Sequence, residues 1–306
     1  MYESLLFIIY ICIFLAGMAA LRNGLFNLSG ESLKKVLSKV TDAPWKGFLT
    51  GTIITGVLQS SSAVMVMTVG LVSVGSLSFS QTIGIILGSN IGSTVTTEFM
   101  TLSLDKWAIP GIIAGVGFCL IPHIMAKSFG TALIGLSAIF AAIGGFKMLA
   151  GPLSSLPLVD KLLISIENHL VLALITGIVV TAIIHSSSAT IGIAMSFLAG
   201  AQISVYAGIA IMLGSNIGTC ITGYMASIGS GPEAKFTAYA HIWLNVLGVL
   251  FFLPFIGSME SLTALLTTDK ALQLAHASVL FNVITSVLVL PFSRQFAKMI
   301  LFLHKG

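Results

Sequence analysis

Charge is what this chain has least of. Only 8% of its 306 residues are Asp, Glu, Lys or Arg, against about a quarter in an ordinary soluble domain. With a mean hydropathy of +1.06, that scarcity excludes a soluble globular fold and points to an integral membrane protein. The basic residues lie in short connections and form no nucleic-acid footprint. Cysteine is scarce too: Cys12, Cys119 and Cys220 lie far apart in apolar segments with no metal-ligand spacing, and read as small hydrophobes in helices. His123, His169, His241 and His276 stand on separate segments with no H-x-x-x-H spacing and no accompanying carboxylate, so no zinc site is expected.

What is present is apolar length. The windows 4–21, 107–126, 128–146, 236–259 and 271–293 are free of charge, and each can cross a hydrocarbon core of about 30 Å as a helix. The segment 4–21 ends in "GMAA" but is preceded by Glu3 rather than a basic leader, so it reads as a retained span, not a signal peptide.

Two longer regions, 47–97 and 168–232, also lack charge but are rich in Gly, Ser and Thr. Irregular backbone is tolerated at membrane depth only where protein buries it or it lines an aqueous cavity. Helical hairpins and broken helices inside a bundle are therefore expected. The two regions are copies: at a single offset of 126 residues, 50–97 laid on 176–223 gives 17 identities in 48 positions. The matches gather in two polar blocks, Ser60–Ala63 on Ser186–Ala189 and Gly88–Gly92 on Gly214–Gly218. A third repeat lies downstream, where 240–255 and 272–292 both end in "LPF" and each carries one Asn, Asn245 and Asn282.

Charge suggests how the copies are oriented. Arg22, Lys34, Lys35, Lys39 and Lys46 are read as one basic loop after the first span, on the cytoplasmic side. The matching stretch 148–168 has no positive excess, and Arg294, Lys298 and Lys305 put the C-terminus inside and the N-terminus outside. Opposite topology of two repeats with interrupted polar segments is a secondary-transporter pattern. The expected organisation is an all-α polytopic membrane protein of two inverted-topology repeats, 1–126 and 127–258, with a C-terminal transmembrane segment at 259–306.

The polar blocks suggest the chemistry. A glycine-flanked Asn at a helix break would free N–H groups for an anion and C=O groups for a hard cation. Two breaks per copy, one at each block, would form a cage at mid-membrane. Neither region holds Arg or Lys, so the cage is expected to be neutral, and binding an anion would need co-bound cations. That favours ion-coupled symport over an anion channel. Phosphate, another oxyanion or a small organic anion all remain open on these residues.

"TGVLQSSSA" with "GSNIGSTVT", repeated as "TAIIHSSSA" with "GSNIGTCIT", resembles the type II sodium/phosphate cotransporter family. "FLAGMAALRNGL" (14–25) and the "AH…FN" segments are similar to it as well. The resemblance implies Na⁺-driven symport of inorganic phosphate in the cytoplasmic membrane, with sodium as co-substrate and no cofactor. It further implies a short form without the soluble C-terminal regulatory domain of many bacterial relatives. It assigns substrate and ion binding to Gln59, Ser60, Ser61, Ser62, Ser89, Asn90 and Thr94, and to His185, Ser186, Ser187, Ser188, Ser215, Asn216 and Thr219. Sodium is expected on Ser and Asn side chains and backbone carbonyls of the same blocks. His185 replaces the Gln of the first motif; a histidine changes charge between about pH 5 and 8, so it serves either a pH response or only the shape of the missing Gln. Glu98, matched by Tyr224, reads as an interfacial residue near Asp105 and Lys106. An intramembrane hydrolase fits poorly, because "GSNIG" is not a G-x-S-x-G elbow and catalysis needs one nucleophile, not two copies. A transporter, not an enzyme, is expected.

Overall fold

The computed structural model describes residues 2–39 and 43–304. They form fourteen α-helices and, among the described residues, no strand. In chain order these are α1 (Tyr2–Lys39), α2 (Pro44–Leu58), α3 (Ser61–Ser73), α4 (Phe79–Met100), α5 (Ala108–Leu120), α6 (Ile124–Ser154) and α7 (Pro157–Asn168). Then follow α8 (Leu170–Ile184), α9 (Ser187–Ala199), α10 (Val205–Ser227), α11 (Pro232–Phe252), α12 (Ile256–Leu266), α13 (Lys270–Val289) and α14 (Ser293–His304). Five helical stretches are long and apolar enough to cross a membrane, and α4 with α5 adds a pair bent by 83°. The chain is an all-α polytopic membrane protein.

Two expectations change here. The basic stretch after the first span is no loop, because α1 continues to Lys39; Arg22 lies well inside it, and the side chains of Lys34, Lys35 and Lys39 lie outside the described residues. The window 107–126 is not one span either, since α5 stops at Leu120 and α6 starts at Ile124.

The duplicated segments fold alike. In each, a short helix ends at a residue in the left-handed conformation, Gln59 (φ 53°) or His185 (φ 56°), and a serine caps the next helix. Ser60 Oγ accepts from Ala63 N–H and Ser186 Oγ from Ala189 N–H, both at 3.2 Å; these hydroxyls satisfy one of the donors that a helix start leaves open. The first and third helices of each copy run in parallel and nearly touch. A Cβ on Gly84, Gly88 or Gly92 of α4 would fall 2.1, 2.0 or 2.6 Å from the carbonyls of Pro44, Phe48 or Thr52 on α2. In copy two the carbonyls of Ile211, Leu174 and Ile178 stand 2.1, 2.0 and 2.5 Å from Cβ positions on Gly177, Gly214 and Gly218.

With α2 and α4 side by side and parallel, α3 must run back between them. Its 13 residues cover about 20 Å at 1.5 Å per residue, too far to leave Phe79 beside the start of α2 if it continued onward. Thus α2–α3 and α8–α9 are helical hairpins with tips at Gln59–Ser60 and His185–Ser186. Arms of 15 and 13 residues fall short of the roughly 20 a helix needs to span, so the tips end inside the bundle. The outer stripe of the first arm is apolar at matching positions, Leu49, Ile53 and Val57 in α2 and Ile175, Val179 and Ile183 in α8, all exposed. That stripe faces lipid.

The equivalent helices α4 and α10 point in opposite directions. Thr82 meets Thr237 (3.4 Å) and Asn90 Nδ2 donates to Asn245 Oδ1 (3.3 Å), so α4 is parallel to α11. Tyr224 packs on Tyr239, and Asn245 Nδ2 donates to Cys220 Sγ at 3.4 Å, so α10 is antiparallel to the same helix. The downstream repeat is visible as well: α11 and α13 each end in a 3-10 turn of Leu-Pro-Phe and continue as a shorter helix, α12 or α14.

Where the copies differ, one carries a cost the other avoids. Ala201 holds φ 54° where copy one has Gly75 at φ 71°. Buried Thr55 has no hydroxyl partner, whereas Thr181 donates to Thr190 at 2.7 Å, because copy one has Val64 at the position of Thr190. Ala201→Gly should therefore stabilise, by about 0.5–1 kcal/mol after the entropy of glycine is set against the left-handed strain. Val64→Thr should add about 1 kcal/mol through the restored hydroxyl pair. Each should raise the melting temperature of the purified protein; a fall in either would contradict the equivalence of the two copies.

Candidate functional site

The two hairpin tips meet. Gln59, Ser60, Ser61 and Ser62 face His185, Ser186, Ser187 and Ser188 across a narrow polar cleft, closed by Met18, Arg22, Ser93 and Thr96. Helices α3 and α9 both begin there. Their first N–H groups, on Ser61, Ser62, Ser187 and Ser188, have no protein acceptor among the described residues. Two helix N-termini with their partial positive charge thus converge on one space lined by hydroxyls, an arrangement suited to an anion. The carbonyl ends of α2 and α8 arrive at the same tips and suit a cation.

Gln59 is tied down: Thr96 Oγ1 donates to its Oε1 at 2.9 Å, and its Nε2 donates to the Gly56 carbonyl. His185 is exposed. Its backbone N–H donates to Thr181 O at 2.8 Å, closing α8. Both residues sit at the left-handed bend, so they shape the tip as much as they line it.

The "GSNIG" blocks behave differently from expectation. Helices α4 and α10 run unbroken through Gly88–Gly92 and Gly214–Gly218, so each copy has one break, not two. The physical reason is packing: Gly88 and Gly92, like Gly214 and Gly218, let a neighbouring backbone carbonyl lie against the helix. Accordingly Ser89, Asn90, Thr94, Ser215, Asn216 and Thr219 are not among the residues lining the cleft. Thr94 bonds to Ile91 O, Ser215 and Asn216 to Met212 O, and Thr219 to Ser215 O. Asn90 reaches Asn245, while Ser89 Oγ and Asn282 Oδ1 are buried without a partner. Asn282 lies one turn from Ser286, whose Oγ donates to Leu87 O at 3.0 Å, so it sits on the seam between α4 and α13, whereas Ser89 lies on the other side of α4 from Glu98 and that seam.

The expectation of a neutral cage is overturned by Arg22. Read as a loop residue, it instead projects from α1 into the cleft, one helical turn after Met18. The signal that could have found it is its own window: "FLAGMAALRNGL" puts one arginine on an otherwise apolar helical stretch, where a charge implies function. Ser93 and Thr96 were also missed as lining residues. Glu98, expected near Asp105 and Lys106, instead pairs with His276 Nδ1 on α13 at 2.9 Å. At the repeat offsets this pair matches Tyr224 with Tyr239.

Comparison with known proteins fits this geometry. The profile of the Na+/Pi-cotransporter family matches residues 13–148 and again 155–289, one tip in each match. The chain belongs to the Na+/Pi-cotransporter family. As a Na+/Pi cotransporter family member it is a membrane transporter for phosphate. It is 46% identical to the "Uncharacterized protein YqeW" of Bacillus subtilis (strain 168) over 95% of this chain and 94% of that one. It is 24% identical to the "Putative inorganic phosphate export protein YjbB" of Escherichia coli (strain K12) over 92% of this chain, which spans about half (52%) of that protein. A shorter match, 34% identity over 29% of this chain and 14% of the relative, links it to the human "Sodium-dependent phosphate transport protein 2B". No solved structure matches.

Proposed function

We propose that the chain is a secondary active transporter that couples sodium to the symport of inorganic phosphate across the cytoplasmic membrane. The observation carrying this reading is the convergence of the α3 and α9 N-termini, from copies running in opposite directions, on one serine-lined cleft. The phosphate oxygens would accept from the open N–H groups of Ser61, Ser62, Ser187 and Ser188 and from the serine hydroxyls. The two copies act as inverted repeats, 1–126 and 127–258, and the cleft opens alternately to either side as one hairpin pair rocks against the other. Cytoplasmic basic residues near the C-terminus, Arg294 and Lys298, support an inside C-terminus and an outside N-terminus.

Sodium coupling draws support from oxygen atoms left without a donor. Ser89 Oγ on α4 and Asn282 Oδ1 on α13, each buried, are acceptors of the kind that a hard cation takes. The carbonyl ends of α2 and α8 at the tips add more. No carboxylate lines the cleft, so nothing there sets a protonated phosphate apart from a fully ionised oxyanion; a carrier for another oxyanion is the second reading.

The test is counterflow of labelled phosphate in proteoliposomes, with and without Na⁺, with sulfate as competitor. Phosphate exchange that collapses without Na⁺ and resists sulfate is expected. Exchange indifferent to Na⁺ would remove the coupling, and equal competition by sulfate would favour the broader oxyanion carrier.

A further inference from the structure

Arg22 is the only permanently charged side chain among the described residues lining the cleft. It is half-buried, and its Nε is buried with no hydrogen-bond partner. No carboxylate pairs with it among the described residues. An arginine held inside a membrane protein without a counter-ion is costly, and no ion pair relieves it among the described residues. Its place is fixed: α1 packs backbone to backbone on α6, where a Cβ on Gly17 would stand 2.8 Å from Gly135 O and one on Gly24 2.5 Å from Ser128 O. The second copy brings no cation to the cleft among the described residues: near the position 126 residues on, Lys147 and Met148 are both exposed and neither lines it. The cleft thus has two matching serine tips and one unmatched cation.

We propose that Arg22 is the charge partner of the transported oxyanion. Its guanidinium takes oxygens of the bound anion, while the serine tips hold the remaining oxygens from either side. A planar fork of N–H donors matches an oxyanion better than an ammonium does. Bound anion is then the counter-ion that the folded chain withholds, and part of the charge compensation assigned to sodium is built into the protein. This rests on the reading of the cleft as the anion site.

The experiment measures phosphate affinity, as the phosphate-dependent rise in melting temperature of purified protein, for wild type, Arg22→Gln, Arg22→Lys, Ser61→Ala and Ser187→Ala. Losing a charged hydrogen bond corresponds to about a 10- to 100-fold loss of affinity. Arg22→Gln should lose that much, and Arg22→Lys should fall between it and wild type. Without phosphate, Arg22→Gln should melt no lower than wild type, because an unpaired buried charge has been removed; a merely structural arginine would give the opposite. Affinity of Arg22→Gln within twofold of wild type overturns the proposal. If the serine variants then still bind weakly, only the role of Arg22 falls. If they also bind like wild type, the cleft is not the anion site. Should Arg22→Gln not purify as a monodisperse species, Arg22→Met, apolar and of similar length, replaces it; failure of both to fold makes Arg22 a structural residue and overturns the proposal.

Discussion

Gly88→Ala and Gly214→Ala should each strip the purified protein of much of its stability. In both, the new methyl would lie 2.0 Å from a backbone carbonyl, Phe48 O in one copy and Leu174 O in the other. A backbone atom in a packed helix cannot swing aside as a side chain can. The two helices must separate, losing contact along the whole seam that sets the hairpin against α4 or α10. Overpacking of this kind costs about 3 kcal/mol at the upper end of its usual range, a large share of a total of about 5–15 kcal/mol. Gly70 is the internal control, for a Cβ there meets nothing within 4 Å, and alanine in an exposed helix gains about 1 kcal/mol over glycine. Melting temperature and monodisperse yield should fall sharply for the first two variants and hold or rise for Gly70→Ala. Stable Gly88→Ala and Gly214→Ala proteins would mean that these glycines do not set the helix spacing.

Ser61→Ala and Ser187→Ala should each impair transport while leaving the protein inserted and folded. Both serines begin the returning arm of a hairpin, next to the capping Ser60 or Ser186, and both line the cleft. The capping bonds belong to their neighbours, so the tips survive the change. What is lost is one hydroxyl donor to a charged oxygen, about 1.5–3 kcal/mol, which reads as about a 10- to 100-fold fall in transport at low phosphate. Because both tips hold one anion, the double variant should retain almost no flux. Wild-type flux in both single variants would remove the serines from the pathway.

Much of this was legible in the sequence, for specific reasons. The membrane class followed from the scarcity of charge, and the hairpin tips from serine triplets repeated at one offset. A left-handed residue followed by a serine cap is a local signal that sequence carries well. The "GSNIG" blocks misled because glycine has two uses: it breaks helices, and it also lets backbones approach. Only the partner, the carbonyl of Phe48 or Leu174, decides between them, and a partner is a long-range fact. Arg22 was misread for a related reason. The positive-inside rule groups it with the lysines that follow, against the signal of its own apolar window, and no local pattern announces that α1 runs on to Lys39. Ser93 and Thr96 enter the cleft only because α4 packs beside the first tip, which again no local pattern records.

The central claim is that the two tips share one anion. Calorimetric titration of phosphate into the purified chain in Na⁺, repeated for Ser61→Ala and Ser187→Ala, tests it most directly. One phosphate should bind per chain in all three proteins, with affinity reduced by either substitution and stoichiometry unchanged. Two phosphates per chain, with each substitution abolishing one and leaving the other at wild-type affinity, would contradict it.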